Sequence, residues 1–200
     1  MTPRPEAAVS RLRSRTVYRN AWMTVREDDV RFAGGRTGIY GVVDKPDFAL
    51  VIPVEPRGFT LVEQYRYAVG GRYWEFPQGS WRVPPPSADS AAGAGTADAA
   101  RLAAAELREE TGLRAGWMRH LGRIHVAYGY TSQGCHVFLA GDLVAGPADR
   151  EDSELDMRHR LVSRVELDEM VCDGRLTDAA SLAALTLYDR CGGSTMGADQ

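Results

Sequence analysis

The chain has 200 residues, 44% hydrophobic and 26% charged, which suits one globular domain with enough sequence for a sizeable core. Its net charge of −3 provides no basic surface for gripping nucleic acid, so polynucleotide partners are disfavoured. Cys135, Cys172 and Cys191 are odd in number and lack metal-ligand spacing, which reads as reduced thiols in a cytoplasmic protein; no apolar run has the length of a signal-peptide core or a membrane span.

Residues 1–15 are polar and arginine-rich and read as a disordered tail, and residues 192–200 read likewise, leaving 16–191 as a single domain. Val17 to Val25, Asp28 to Phe32 and Gly38 to Val43 have strand character, with Gly34-Gly35 as the turn between the second and third. Ala49 to Val54 and Thr60 to Tyr67 form another pair around Pro56-Arg57-Gly58. After the strand-like run ending at Tyr73-Trp74-Glu75-Phe76-Pro77-Gln78-Gly79-Ser80 comes a Pro/Ala/Gly-rich stretch at about 82–95, whose composition cannot build a core and suits either disorder or a lid. A helix follows from about Ala97 to Thr111, with Thr96 or Asp98 as N-cap and Gly112 in the C-terminal left-handed position. Met118 to His125 and Gly134 to Ala140 are strands, Leu161 to Glu166 is a last strand, and Asp178 to Arg190 is a second helix. Together these elements predict an α+β protein, a mixed β-sheet between helices in an α/β/α sandwich.

Within the first helix, Glu106, Glu109 and Glu110 stand three and four residues apart and so project from one side. Stacked carboxylates repel by a few tenths of a kcal/mol per pair, on the order of what an isolated helix loses. A hard divalent cation (Mg²⁺, Mn²⁺ or Ca²⁺) offsets that repulsion through oxygen ligands. A solvated helix bridged by Arg101, Arg108 and Arg114 would satisfy the same residues without metal.

Glu106-Leu107-Arg108-Glu109-Glu110-Thr111-Gly112-Leu113 matches the second half of the signature box of the Nudix hydrolases, and the chain resembles that family. Tyr18-Arg19-Asn20-Ala21-Trp22, Glu63-Gln64-Tyr65-Arg66-Tyr67, Trp74-Glu75-Phe76-Pro77-Gln78-Gly79 and Asp173-Gly174-Arg175-Leu176-Thr177-Asp178 extend the resemblance to the ADP-ribose pyrophosphatase branch. The first half of the box is degenerate: its glutamate falls on Ala97 and its arginine on Ala105, and Gly79 lies 27 positions before Glu106, so about 12 residues are inserted relative to the box. Arg101, one turn before Ala105, is a candidate substitute for the missing arginine.

The resemblance implies a Nudix fold with an N-terminal antiparallel strand extension, a homodimer paired through those strands, and cleavage of a nucleoside diphosphate linked to another moiety with Mg²⁺ or Mn²⁺. It implies Glu106, Glu110, Glu109 and the backbone carbonyl of Gln78 as metal ligands, with Glu109 and Glu110 also in the catalytic group, and Glu75 beside them at a second metal's water shell or the substrate. Glu154 is chosen as general base from the acidic loop that also holds Glu151 and Asp152. Trp22 would stack on a purine, Arg66 would pair with phosphate or ribose oxygens, and Tyr128 stands where subfamilies select substrate. Tyr128 is closer to dinucleoside-polyphosphate enzymes, and Ala97 and Ala105 leave open a nucleotide-binding module without turnover.

Overall fold

The computed structural model describes residues 8–81, 95–150 and 154–192, which fall into two compact units. The proposed insert at 82–95, apart from its last residue, lies outside the described residues, as do Glu151 and Asp152.

The first unit holds three antiparallel strands in the order β1 (Val9–Arg19), β2 (Thr24–Phe32) and β3 (Thr37–Asp44). Of the tail expected through residue 15, residues 9–15 belong to β1. The strand expected from Val17 to Val25 is broken at Asn20, whose side-chain oxygen accepts the amides of Trp22 and Met23 at 2.9 and 2.8 Å and turns the chain. Gly35, with φ of 80°, closes the β2–β3 hairpin where the glycine pair predicted it. The segment 127–133 joins this unit: Val43 donates to the Tyr130 carbonyl at 2.8 Å and the Tyr40 hydroxyl to the Gly129 carbonyl at 2.7 Å.

The second unit is built on a mixed sheet of seven strands: β4 (Phe48–Glu55), β5 (Gly58–Arg66), β6 (Gly71–Glu75), β7 (Gln78–Ser80), β8 (Leu113–His125), β9 (Gly134–Ala145) and β10 (Arg158–Val162). Its path runs β10-β5-β4-β9-β8, and only the β4–β9 pair is parallel. The β4–β5 hairpin is paired only at Val54–Phe59 and Glu55–Gly58, after which the two strands diverge. Into that fork run β6, paired with β5, and β7, paired with β4. The fork fixes residues 75–80 at the middle of the sheet.

Helix α1 (Thr96–Thr111) covers one face, where Ala99, Ala103 and Leu107 meet Ala49, Val51, Phe138 and Ala140. Helices α2 (Arg164–Cys172) and α3 (Ala179–Leu187) cover the other through Leu167, Met170, Ala180, Ala184 and Leu185, packed on Leu50, Ile52, Leu61, Phe76 and Val137. The α+β sandwich is as expected, with one helix more. The last strand ends at Val162 rather than Glu166, because Ser163 accepts the Glu166 amide at 3.1 Å and starts α2. At α1 the N-cap is Gly95, without a side-chain cap, in place of Thr96 or Asp98. The second expected helix is shorter than Asp178 to Arg190: Asp178 is its cap, and Tyr188–Gly192 widens into a π-type turn. Among the described residues no helix is long and apolar enough to cross a membrane.

Candidate active site

The buried stripe of α1 runs Ala99, Ala103, Leu107, Glu110, the 3.6-residue period of a core-facing helix. Glu110 is therefore a carboxylate at a core position, only 1% exposed. Its Oε2 accepts the Gln78 amide at 3.3 Å. Burial first, then the charges of Glu106, Glu154 and Glu75, hold its carboxyl well above the usual carboxylate range. One turn earlier, Glu106 lies over the backbone of Gly79 so closely that a Cβ there would sit 2.0 Å from its Oε1. Both glutamates thus close on the backbone of two successive residues of β7, Glu110 on Gln78 and Glu106 on Gly79. Glycine at 79 is needed for this approach.

Glu75, 2% exposed, is surrounded by donors: the Gln64 amide at 2.7 Å and the Gln78 amide at 3.2 Å, with Arg66 forking onto both oxygens. Burial still raises its carboxyl above the ordinary range, against the Arg66 contribution. The Gln78 side chain bridges Glu75 to Asp178, whose Oδ2 it meets at 3.1 Å. Asp178 accepts the Ser181 amide at 2.8 Å as the cap of α3, and the Ser181 hydroxyl accepts the Phe76 amide at 3.0 Å.

Glu154 stands near enough to raise the Glu110 carboxyl. Its loop is pinned to the C-terminal end of α1: the Asp149 amide donates to the Glu109 carbonyl and the Arg150 Nε to the Glu110 carbonyl, both at 3.0 Å. Arg150 also donates to the Met157 carbonyl at 2.7 Å and meets His159 Nδ1 at 2.9 Å. These bonds use carbonyls that a helix end leaves without intrahelical partners.

Glu75, Gln78, Arg66, Glu106, Glu110 and Glu154 are thus brought together through direct contacts and mutual electrostatics. Glu109 is set differently: its carboxylate pairs with Arg108 at 2.6 Å. Arg101 does not take over from the missing box arginine, since it pairs with Asp98 on its own exposed turn. Trp22 and Tyr128 belong to the first unit and are 67% and 84% exposed there. Sequence reasoning missed Gln64, Arg150, Asp178 and Ser181 as parts of the site; Asp178 three residues before Ser181 was visible as a helix cap, without its second partner.

Comparison with known proteins finds relatives of the kind that the sequence resembles. Residues 10–43 match the family described as nucleoside diphosphate sugar hydrolase N-terminal domain. The chain is 28% identical over 176 residues to an ADP-ribose pyrophosphatase of Mycobacterium tuberculosis, covering 86% of this chain and 79% of that one. It is also 28% identical over 182 residues to a CMP-5'-(N-acetyl-N-hydroxy-3-aminopropyl)phosphonate hydrolase of Streptomyces rubellomurinus, covering 90% and 82%. The crystal structure of an ADP compounds hydrolase superimposes with a TM-score of 0.75 over 94% of this chain and 95% of that one; at 19% identity this likeness shows the fold.

Proposed function

We propose that the chain hydrolyses the pyrophosphate bond of a nucleoside diphosphate linked to another moiety, with ADP-ribose or a related nucleotide sugar as substrate and Mg²⁺ or Mn²⁺ as cofactor. The observation that carries this reading is the buried Glu110, held against the Gln78 amide beside Glu106 and loaded by three other carboxylates. Such a cluster is unfavourable by itself, and a divalent cation is the group that relieves it.

Among the described residues no three histidine, cysteine or acidic side chains converge into a ready-made metal cage. That fits magnesium, which is commonly held by one or two carboxylates and completes its shell with water and substrate phosphate. Glu106 and Glu110 are the holding pair, with the Gln78 carbonyl and Glu109 at the margin. Bound there, a cation would supply charge neutralisation for the diphosphate and a lowered pKa for an attacking water. Glu154 is the general base toward the attacking water, and Arg150 nearby is held on the Glu110 and Met157 carbonyls. Arg66 keeps Glu75 oriented while offering its outer face to phosphate or ribose oxygens. The exposed apolar residues of the first unit's sheet, including Val9, Leu12, Val17 and Ile39, support a homodimer paired through it. The free thiols support a cytoplasmic setting.

The test is turnover of ADP-ribose, a dinucleoside polyphosphate and a nucleotide-sugar panel, with and without Mg²⁺ or Mn²⁺, beside a Glu110→Gln control. Metal-dependent release of AMP from ADP-ribose, absent in the control, is the expected result. Cleavage of the dinucleoside polyphosphate alone would move the substrate, and nucleotide binding without any turnover would refute hydrolysis.

A further inference from the structure

The edge of β6 not taken by β5 is received by the chain leading into α3. Trp74 donates to the Arg175 carbonyl at 3.0 Å, Phe76 to the Ser181 hydroxyl at 3.0 Å, and the Gln78 side chain to Asp178 at 3.1 Å. The three anchors fall at alternate residues, so the segment 74–78 is tied to the stretch 175–181. Ser181 is fully buried, and the same Asp178 oxygen that receives Gln78 also caps the helix at 2.8 Å.

The backbone of Gln78 and Gly79 is where Glu110 and Glu106 close. Gln78 donates its backbone amide to Glu110 at 3.3 Å, and Gly79 has no slack beneath Glu106, since even a methyl group would sit 2.0 Å from Oε1. The Gln78 amide nitrogen has two hydrogens and two acceptors, Glu75 at 3.2 Å and Asp178 at 3.1 Å. Losing one acceptor frees the side chain to swing about the other.

We propose that Asp178 is a positioning residue of the active site, acting through the Gln78 side chain to fix the backbone of Gln78 and Gly79 against Glu110 and Glu106. The inference rests on the functional reading above only for its consequence in turnover. The geometry it assigns is independent of substrate. Asp178 touches no reacting atom; its effect passes through one amide.

Asp178→Ser separates capping from positioning. A serine hydroxyl caps a helix well but ends one bond shorter, out of reach of Gln78. Asp178→Asn keeps an acceptor at full length for both partners. The first readout is the backbone amide resonance of Gly79 in labelled protein, which reports the peptide's position whether or not anything is hydrolysed. It is expected to move in Asp178→Ser and in Gln78→Ala, to move no further in the double variant, and to return in Asp178→Asn. In steady-state assays with ADP-ribose, Asp178→Ser is expected to lower kcat by about tenfold, within the range that sub-ångström to ångström misplacement produces, with KM unchanged. An unmoved Gly79 resonance in folded Asp178→Ser protein, or additive effects of the two substitutions, would overturn the proposal. If the resonance behaves as expected while the wild-type protein hydrolyses nothing, the positioning stands and the proposed function falls.

Discussion

Substituting Gly79 by alanine adds one methyl group where the site has no room for it. The new Cβ would lie 2.0, 2.1 and 2.5 Å from Oε1, Cδ and Oε2 of Glu106. All three atoms belong to the tip of one flexible side chain, and Gly79 does not have the left-handed φ that would strain alanine. The fold therefore accepts the change by moving the carboxylate. Carbon and oxygen need about 3.3 Å between them, so the carboxylate retreats by about 1.3 Å. A misplacement of about 1 Å lowers an enzyme's rate by about 10²-fold, close to 2.7 kcal/mol of transition-state stabilisation. Two assays test this together: release of AMP from ADP-ribose at saturating Mg²⁺, and urea unfolding. The expected result is kcat/KM down about 100-fold with stability within about 0.5 kcal/mol of the parent. Wild-type turnover would show that the Glu106 carboxylate does not act from this position, and a stability loss above about 2 kcal/mol would show that the methyl group displaces more than a side-chain tip.

At the far end of α1 the same substitution has the opposite profile. Gly112→Ala forces a left-handed residue, φ 76°, and sets a Cβ 2.2 Å from the Gly146 carbonyl, which is backbone and cannot swing aside; a loss of about 2 kcal/mol or more in urea unfolding is expected. For Glu110→Gln the metal-free protein should gain stability as turnover disappears. The Glu110 carboxyl titrates well above its ordinary 4.5 in the folded state, so stability falls as pH rises from that value through the folded one, and calorimetry in EDTA should find a higher Tm for the variant at pH 8 and a flatter pH dependence. His136 works in the other direction. It is 6% exposed with neither ring nitrogen hydrogen-bonded, and burial lowers its pKa from 6.5, with His120 and Arg123 adding to the shift and Asp47 opposing it. A depressed histidine subtracts stability as pH falls below 6.5 toward the folded value, so the difference in urea midpoint between wild type and His136→Gln should shift against the wild type from pH 7.5 to 5.5; a constant difference would remove His136 from the account.

The carboxylate helix was legible because two independent signals agreed, the spacing of Ala and Leu against Glu and the closing glycine. The β2–β3 hairpin was legible from its glycine pair. The strand β1 was not, since every one of its residues is exposed and it is held by backbone pairing and surface ion pairs such as Arg15–Glu27 at 2.6 Å. Such a strand has no hydrophobic alternation to read. The start of α2 carried a legible cap in Ser163 with Glu166, masked by the apolar run of Leu161, Val162 and Val165 that reads as a strand. Within the site, Glu106 and Glu110 declare themselves by local spacing. Gln78 and Asp178 meet across 100 residues, and a single sequence has no signal for such a pair.

The bonds from Asp149 and Arg150 to the Glu109 and Glu110 carbonyls make the helix and the following acidic loop one inheritable part. A loop transplanted from a relative to alter substrate preference must bring its own amide and guanidinium to those two carbonyls. Without them the graft would fray the last turn of the helix that carries Glu110, and an exchange meant to change selectivity would be read as a loss of activity.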